Sequence, residues 1–449
     1  MNLQVGTNLT KKDEQFLWHA MKAYNPDATI IIEKAEGSWL TDIHGKRYLD
    51  AMSGLWCVNV GYGNQEIANA AYEQLLKNNY TPLSMSHPSA ILLAEKISEM
   101  LGDDYVVFFS NSGSEANETA FKIARQYFQQ KGENSRYKIV SRYRAYHGNT
   151  MGALAATGQA ERKYKYEPLA PGFLHVKAPD QYRFPEVSGD NPLELSSVKV
   201  IDEVMTWEYS DTIAAMIVEP IITGGGVIMP PDDYLQGVQQ VCQKHGALLI
   251  VDEVICGFGR TGKAFGHQNY GVKPDIVTMA KGLTSAYMPL SATAVRREIY
   301  EAFMSNGQYD FFRHVNTFGG SPAACAVALK NLEIMERENL FSRSEEMGAI
   351  LLKELENKLA AHPNIGNIRG KGLLIGIELV ADRSTKEPLD VTIVNNIIAH
   401  CKNNGLIVGK NGVTVAGYNN VLTLSPPLNI SLEEKDLIVS KLTEAIEAQ

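Results

Sequence analysis

A series of short apolar runs, each followed by a segment with helical spacing, constrains the fold of this chain more than any other feature. The runs occupy 105–109, 138–141, 214–218, 247–251, 276–279 and 291–295 of the 449 residues. The run at 247–251 has no polar interruption, which is typical of a strand buried on both faces, and the other runs are mostly apolar. Their alternation with helices predicts a mostly parallel sheet that is covered by helices on both sides.

The two ends of the chain have a different pattern. The first 60 residues contain strand-like runs around turns, at 29–33, 38–41 and 47–50. A long helical pattern then extends from Pro322 to about Ala361, followed by strand-like runs at 373–379, 406–408 and 421–424 and by helices at 391–403 and from Leu432 onward. We therefore predict an α/β fold with a large domain (61–330) and a smaller α+β domain built from both chain ends (1–60 and 331–449).

Charge and cysteine content exclude several classes of protein. The formal charge of −9 argues against binding to nucleic acid or to an anionic membrane. Five scattered cysteines without a C-x-x-C pair predict neither a disulfide framework nor a metal site. The N-terminus lacks the apolar segment of a secretion signal, and no apolar run reaches transmembrane length. We therefore expect a cytoplasmic protein with no metal, nucleic-acid or membrane partner.

A carboxylate and an amine follow two of the buried runs. Asp252 directly follows the run at 247–251, and Lys281 follows the run at 276–279 after Ala280. Ligands of open α/β sheets bind at the carboxyl ends of the strands, so these two groups can meet at one edge. A lysine amine forms a Schiff base with an aldehyde cofactor such as pyridoxal phosphate, and a carboxylate keeps the pyridine nitrogen protonated. Taken singly, Lys281 is more often a solvated loop residue and Asp252 can cap a helix.

A candidate phosphate site lies between the first run and the helix after it. Ser112 and Glu115 fit the S-x-x-E pattern of a helix N-terminus. Gly113 and Ser114 open that helix, where free backbone N–H groups and the helix dipole favour a phosphate. Ordinary capping explains the motif equally well when it is taken alone.

A second glycine-rich segment, 257–264, has the spacing of nucleotide-binding loops. It matches G-x-G-x-x-G and nearly matches the ATP-binding pattern. However, Ala264 stands where the latter needs a hydroxyl for magnesium, and the residues after it lack helical periodicity. The sequence therefore disfavours a nucleotide site here.

Three further segments are compatible with a ligand but do not require one. Tyr146 follows the run at 138–141, where its ring can stack on a planar cofactor or pack within a loop. Glycines at 224–226 and 319–320 permit either close backbone approach or tight turns.

These motifs occur together, and in the same order, in one known family. The segments 111–116, 146–148, 219–220, 252–262, 279–282 and 317–320 together resemble those of the class III (omega) aminotransferases. The resemblance spans most of the chain and is far more specific than any single motif. It implies a pyridoxal-phosphate enzyme of fold type I, and a homodimer whose active sites lie between the subunits.

The resemblance also implies roles for individual residues. Lys281 would form the Schiff base and shuttle protons, and Asp252 would hold the pyridine N–H. Gly113 and Ser114 would bind the cofactor phosphate, and Thr317 would reach the phosphate in the partner subunit.

Three more residues would surround the cofactor ring by the same resemblance. Tyr146 would stack on one face of the ring and Val254 would pack against the other. Glu219 would support the side of the ring that carries the oxygen atom.

The segment 53–63 resembles the branch of the family that uses pyruvate as acceptor and omega-amino acids or simple amines as donors. Trp56 would form one wall of the substrate pocket, with Leu55, Tyr146 and Trp18 nearby. Members of this branch often hold the substrate carboxylate with an arginine shortly before the Ser-Pro-Pro segment. Lys410 is the cation in the corresponding stretch here, and it lacks the forked geometry of arginine.

The expected reaction is therefore a ping-pong transfer of an amino group from an omega-amino acid or primary amine to a keto acid, with pyruvate as the expected acceptor. The alternative is the aminotransferase of biotin synthesis that uses S-adenosylmethionine, although that branch tends to have paired tryptophans where this chain has Leu55 and Trp56. Gly224 disfavours the 4-aminobutyrate and ornithine branches, which usually carry a glutamate there. A non-catalytic pyridoxal-phosphate-binding protein is a further alternative.

Overall fold

A computed structural model describes residues 2–21, 25, 29–185, 191–305, 307–412, 414–415 and 417–449. No helix in the described ranges is long and apolar enough to cross a membrane.

The N-terminal elements surround a small sheet. In chain order they are α1 (Asn2–Phe16), β1 (Ile32–Glu36), β2 (Trp39–Asp42), β3 (Arg47–Asp50), the irregular turn α2 (Ser53–Trp56), α3 (Gln65–Lys77) and α4 (Pro88–Leu101). The strands β1, β2 and β3 pair antiparallel in that order.

The middle of the chain alternates between strands and helices, as the sequence predicts. Its elements are β4 (Tyr105–Ser110), α5 (Gly113–Gln130), β5 (Lys138–Arg142), α6 (Met151–Ala156), α7 (Ala160–Lys163), β6 (Phe173–Val176), α8 (Ser196–Trp207), β7 (Ile213–Val218), α9 (Tyr234–His245), β8 (Leu248–Asp252), β9 (Ile276–Met279), β10 (Ser291–Arg296) and α10 (Arg297–Glu301). Short 3-10 turns occupy Pro192–Glu194, Ser210–Thr212, Gly266–Tyr270 and Lys281–Leu283.

The C-terminal elements form a third group, which shares a sheet with the N-terminus. They are α11 (Pro322–Arg337), α12 (Leu340–Leu359), β11 (Ile365–Gly370), β12 (Ile375–Asp382), β13 (Glu387–Pro388), α13 (Val391–Asn403), β14 (Leu406–Ile407), β15 (Gly409–Lys410), β16 (Val421–Leu424) and α14 (Leu432–Glu447). Strand β14 pairs in parallel with β3, while β11, β12, β16 and β15 form a separate sheet. The smaller domain therefore contains both chain ends, as predicted.

The long helix predicted from Pro322 to Ala361 is two helices in the structure. Asn339 adopts a left-handed backbone conformation with φ 55°, which breaks the chain direction between α11 and α12. Asparagine tolerates that conformation better than most residues, so the apolar periodicity alone does not reveal the break.

The domain bounds 1–60, 61–330 and 331–449 stay predictions.

The central sheet has seven strands in the order β4-β10-β9-β8-β7-β5-β6. Among these described strands, β10 alone runs opposite to the common direction, so its pairings with β4 and β9 are antiparallel and the remaining pairings are parallel. The predicted α/β fold with a mostly parallel sheet is therefore confirmed. The short edge strand β6 was not predicted, because a single four-residue run containing His175 carries little signal.

Helices cover both faces of the central sheet. Alternate side chains of β8 point to opposite faces, so Leu249 and Val251 pack with α8 and α9 while Ile250 packs with α5. Each of these side chains is almost fully buried, and each contributes about 1.5–3 kcal/mol through removal of apolar surface from water. The same alternation turns Asp252, two residues after Ile250, toward α5.

Candidate active site

The candidate site lies where the parallel strands of the central sheet end. Asp252 is the last residue of β8, and Lys281 follows β9 after one intervening residue. Tyr146 and Glu219 follow β5 and β7, whose carboxyl ends are at the same edge. The structure therefore brings together the carboxylate and the amine that the sequence places after separate strands.

Both oxygens of Asp252 are held in place by the protein. Oδ1 accepts the backbone N–H of Val254 at 3.0 Å. Oδ2 accepts the side-chain amide of Asn117 at 2.8 Å and lies 2.9 Å from Nδ1 of His147. A carboxylate oxygen has two lone pairs, so Oδ1 retains one for a further donor. Asp252 is thus a buried, fixed acceptor with unused capacity.

Asn117 is a positioning residue that the sequence reasoning missed. Its side-chain amide donates to Asp252 and to the backbone carbonyl of His147, at 2.8 and 2.6 Å. Its side-chain oxygen accepts the hydroxyl of Thr278 at 2.7 Å. Asn117 lies one helical turn after Gly113, and this i, i+4 spacing was the signal that places both on one face of α5.

Lys281 occupies a constrained position beside these groups. Its backbone has φ 45°, at the start of a 3-10 turn, and its amine lies 5.3 Å from the centre of the Trp56 ring. Removal from water lowers the pKa of the amine below its ordinary value. The nearby carboxylates of Asp252 and Glu219 oppose this shift. A lowered pKa makes more of the neutral, nucleophilic amine available.

Glu219 connects the loops that follow β5 and β7. Its carboxylate accepts the backbone N–H of Tyr146 and that of Thr223, each at 3.1 Å. Burial raises the pKa of Glu219, because the charged form loses its water. This residue fixes the backbone of Tyr146 and therefore the position of its ring.

The N-terminus of α5 has the free donors that a phosphate needs. Ser112 caps the helix, and its hydroxyl accepts the N–H of Glu115 at 3.2 Å. The N–H groups of Gly113 and Ser114 donate to no acceptor in the described part of the chain. Such unpaired N–H groups, with the dipole of an 18-residue helix, form an anion site.

Two glycines allow close approach around that helix terminus. A Cβ atom on Gly113 would lie 3.0 Å from the side chain of Val254. One on Gly148, which has φ 141°, would lie 2.5 Å from the hydroxyl of Ser114. Ser114 also exchanges hydrogen bonds with Asn149, at 2.9 and 3.1 Å. Packing around the N-terminus of α5 therefore favours glycine at both positions.

These residues fit pyridoxal phosphate. The free N–H groups of α5 suit its phosphate, the unused lone pair on Asp252 suits its pyridine nitrogen, and the amine of Lys281 suits its aldehyde. The predicted roles of Tyr146, Val254 and Glu219 toward the ring remain predictions.

The predicted pocket residues are distributed unevenly. Trp56 is half-buried beside Lys281, and its indole N–H is buried with no partner in the described structure. Leu55 is exposed. Trp18 is 97 % exposed and follows the end of α1, so it packs against no described part of this chain.

Lys410 points away from the other candidate residues. A Cβ on its neighbour Gly409 would meet Met52 and Thr423, so the side chain of Lys410 lies on the opposite face of β15. There its amine donates to the side chain of Asn395 on α13 at 2.6 Å. Its predicted role in binding a substrate carboxylate remains a prediction.

Arg162 is a second residue that sequence reasoning missed. Its guanidinium lies 4.7 Å from the centre of the Tyr146 ring, and its positive charge contributes to the lowered pKa of Lys281. A single arginine in the polar stretch 159–168 carries no periodicity or motif that would single it out.

Thr317 lies outside this cluster in the single chain. It is exposed, and its backbone carbonyl accepts the hydroxyl of Tyr80 at 3.0 Å. It borders a surface cavity of about 670 Å³ together with the exposed side chains of Met85, Ile91 and Val315.

The second glycine-rich segment joins distant parts of the chain through Arg260, and we call it the Arg260 clamp. Arg260 is fully buried and donates to the carbonyls of Leu373 and Pro426, at 3.0 and 2.6 Å, and to the side chain of Asn59 at 2.8 Å. Burial lowers the pKa of Arg260 to about 9. Only the 3-10 turn Gly266–Tyr270 follows the segment, which is too short to bind a nucleotide phosphate as a helix does.

Comparisons with known proteins agree with this geometry. Residues 20–446 match the family described as aminotransferase class III. An uncharacterized aminotransferase of Bacillus subtilis is 64 % identical over 446 residues, which cover 99 % of this chain and 98 % of that protein. A taurine–pyruvate aminotransferase of Bilophila wadsworthia is 42 % identical, with 97 % and 96 % covered. The crystal structure of a Bacillus anthracis aminotransferase has 62 % identity and a TM-score of 0.99, and covers both chains fully.

Proposed function

This chain belongs to the class-III aminotransferases, and we propose that it transfers an amino group from an omega-amino acid or a primary amine to pyruvate. The family uses pyridoxal 5′-phosphate as cofactor. The observation that carries the proposal is the meeting of the Lys281 amine and the fixed carboxylate of Asp252 at one sheet edge. The taurine–pyruvate relative supports both an omega-amino donor and pyruvate as acceptor.

The protein groups divide the work between binding and proton transfer. Gly113 and Ser114 would hold the phosphate, and Asp252 would keep the pyridine nitrogen protonated. When bound, the cofactor supplies an electron sink for the electron pair released at the substrate carbon. Nζ of Lys281 takes the proton from that carbon, because its lowered pKa leaves the amine neutral more often.

The two halves of the reaction use the same pocket in turn. The carbonyl product of the donor leaves before the keto acid enters, which is a ping-pong scheme. Trp56 beside the amine restricts the pocket on one side. This arrangement explains how one site accepts two different substrates.

We also propose that the active enzyme is a homodimer in which Thr317 reaches the cofactor of the partner subunit. The exposed apolar side chains around the 670 Å³ cavity support such an interface. Light scattering over a dilution series tests the dimer, and Thr317→Ala should weaken cofactor retention. A fully active monomer would contradict this proposal.

A reducing, cytoplasmic setting is part of the same proposal. All five cysteines are free thiols, and Cys242, Cys256, Cys325 and Cys401 are buried. Free buried thiols are typical of proteins in a reducing compartment.

The half-reaction tests the proposed function directly. Purified enzyme with its cofactor is mixed, without acceptor, with β-alanine, taurine, 1-phenylethylamine, 4-aminobutyrate or S-adenosylmethionine, and the visible absorbance of the cofactor is followed. We expect β-alanine, taurine or the simple amine to bleach it, and pyruvate to restore it. Bleaching by S-adenosylmethionine alone would assign the enzyme to biotin synthesis. Restoration by 2-oxoglutarate but not by pyruvate would exclude the proposed acceptor.

A further inference from the structure

We propose that Arg162 binds the acidic end of the substrate, a carboxylate or a sulfonate, and thereby makes acidic donors and keto acids better ligands than neutral amines. The proposal rests on the proposed function and adds a substrate class to it. Its basis is the position of the guanidinium, the hydrogen bonds that it makes, and the acidic partner that it lacks.

The short helix α7 places Arg162 beside Tyr146. The residue before it anchors α7 to the loop after β15, because the N–H of Glu161 donates to the carbonyl of Thr414 at 3.2 Å and its carboxylate accepts the amide of Asn419 at 3.3 Å. Arg162 projects instead over the Tyr146 ring, with 4.7 Å between the guanidinium and the ring centre. The cation therefore lies against the ring of a residue that we predict to bind the cofactor.

A buried side chain fixes one edge of the guanidinium and leaves the other available. Nε of Arg162 donates to Oε1 of Gln159 at 2.6 Å, and Gln159 is fully buried with its own amide bonded to the carbonyl of Arg144. Nη1 meets only the thioether of Met21 at 3.3 Å, which is a weak acceptor. Nη2 has no hydrogen-bond partner in the described residues. An incoming anion can therefore use Nη1 and Nη2.

Arg162 also lacks a carboxylate partner of the kind that three other arginines of this chain have. Arg144 pairs with Asp180, and both Arg183 and Arg369 pair with Glu378. No described Asp or Glu forms an ion pair with Arg162. A partly buried guanidinium without a counter-ion favours an anionic ligand, and its planar fork matches a carboxylate or sulfonate.

The charge of Arg162 also acts on Lys281. The charge of Arg162 contributes to the lowered pKa of the Lys281 amine, after the larger effect of burial. A substrate that places its amino group at Lys281 can therefore direct an acidic group toward Arg162. Lys410 is less suited, since its amine is bonded to Asn395 on the other face of β15.

Equilibrium binding of unreactive acids tests the proposal without any turnover. Propionate and ethanesulfonate carry the acidic group but no amine or carbonyl, and calorimetry gives their affinity for the enzyme with its cofactor. Arg162→Gln should weaken both by about tenfold to a hundredfold, the usual value of a charged hydrogen bond. Arg162→Lys should recover part of the loss. Unchanged binding in Arg162→Gln would overturn the proposal.

Charge removal at two lysines, Lys165 and Lys410, provides controls for Arg162→Gln. Lys165→Gln removes the same charge from an exposed position three residues away, and we expect acid affinity within about twofold of the wild type because exposed charges are screened. Lys410→Gln removes the competing cation. Loss of acid binding in Lys410→Gln but not in Arg162→Gln would overturn the assignment.

A substitution at Gly224 tests the same proposal without changing Arg162, because it can place a carboxylate near the guanidinium. A Cβ there would lie at ordinary contact distance, 3.5 Å from Gln159 and 3.6 Å from Tyr146, both neighbours of Arg162. Gly224→Glu can therefore supply an internal carboxylate, which should compete with external acids, whereas Gly224→Gln should not. Equal acid affinity in these two variants would count against the proposal.

Substrate preference separates failure of this proposal from failure of the proposed function. In the wild type, β-alanine should react faster than 1-phenylethylamine at equal concentration, and Arg162→Gln should remove that preference while the neutral amine still reacts. A rise in KM for β-alanine or for pyruvate identifies which acidic group Arg162 holds, and either supports the proposal. Conversion of neither amine by the wild type would instead refute the proposed function.

Discussion

The two glycine-rich segments of this chain differ in how their surroundings use hydrogen bonds. At 111–117, the N–H groups of Gly113 and Ser114 have no acceptor among the residues that the structure describes, and the adjacent Asp252 keeps a lone pair free. At 257–263, Arg260 gives its donors to carbonyls and side chains of the protein itself. The first segment can therefore bind a ligand, while the second joins parts of the chain. Unused polar capacity, more than glycine spacing, distinguishes a binding site from a clamp.

Lys281→Ala should have the largest effect, because it should abolish activity and leave the stability of the fold almost unchanged. The variant loses the amine that moves the proton, so turnover should fall by several orders of magnitude while the unfolding midpoint stays close to the wild type. Stopped-flow half-reaction rates and urea denaturation measure the two properties. Activity close to that of the wild type would remove the central assignment of the site.

Asp252→Asn should also reduce turnover by orders of magnitude, because an amide does not keep the pyridine nitrogen protonated. Asp275 is the matched control, since it lies at the opposite end of β8 and accepts the N–H of Leu249 at 2.7 Å. Asp275→Asn should alter stability more than rate. Similar rate losses in the two variants would mean that Asp252 has no special role.

Arg260→Met should chiefly destabilise the fold. The substitution leaves buried carbonyls of Leu373 and Pro426 without their donor, and we expect a loss of about 1–3 kcal/mol in the free energy of unfolding for each of them. Urea unfolding measures that loss, and half-reaction rates per folded molecule should change less than in Lys281→Ala. If the rate falls while stability is unaltered, the clamp assignment is wrong.

The smallest effects are expected from two glycine substitutions, one in each region. Gly148→Ala should weaken cofactor binding, and Gly262→Ala should destabilise the fold. Gly148→Ala brings a Cβ to 2.5 Å from the Ser114 hydroxyl at φ 141°, and should raise the cofactor dissociation constant roughly tenfold, or about 1.4 kcal/mol. Gly262→Ala, with a Cβ at 2.9 Å from Glu345 and φ 89°, should instead lower the free energy of unfolding by about 1–3 kcal/mol. Cofactor titration and urea denaturation of both variants measure these effects, and the reverse result would contradict the comparison.

The sequence predicted that Asp252 and Lys281 meet at one sheet edge, but it did not predict the contacts of Asn117 and Arg162 beside them. Asp252 and Lys281 could be predicted because buried strands have a clear apolar pattern and their ends meet at one edge. Asn117 acts through a tertiary contact with Asp252, although its spacing from Gly113 was visible. Arg162 had no local signal, because its position depends on how α7 packs against the loop after β15.

The pairing of β14 with β3 has a consequence for synthesis of the chain. Leu49 and Asp50 emerge from the ribosome early, but their partners Leu406 and Ile407 come near the end. The small sheet therefore keeps an open edge while most of the chain is being made, and pairing of such distant segments is intrinsically slow. We expect the central sheet to form first and the smaller domain to close last. Nascent chains shorter than about 410 residues would then depend on chaperones to keep β3 from pairing with other chains.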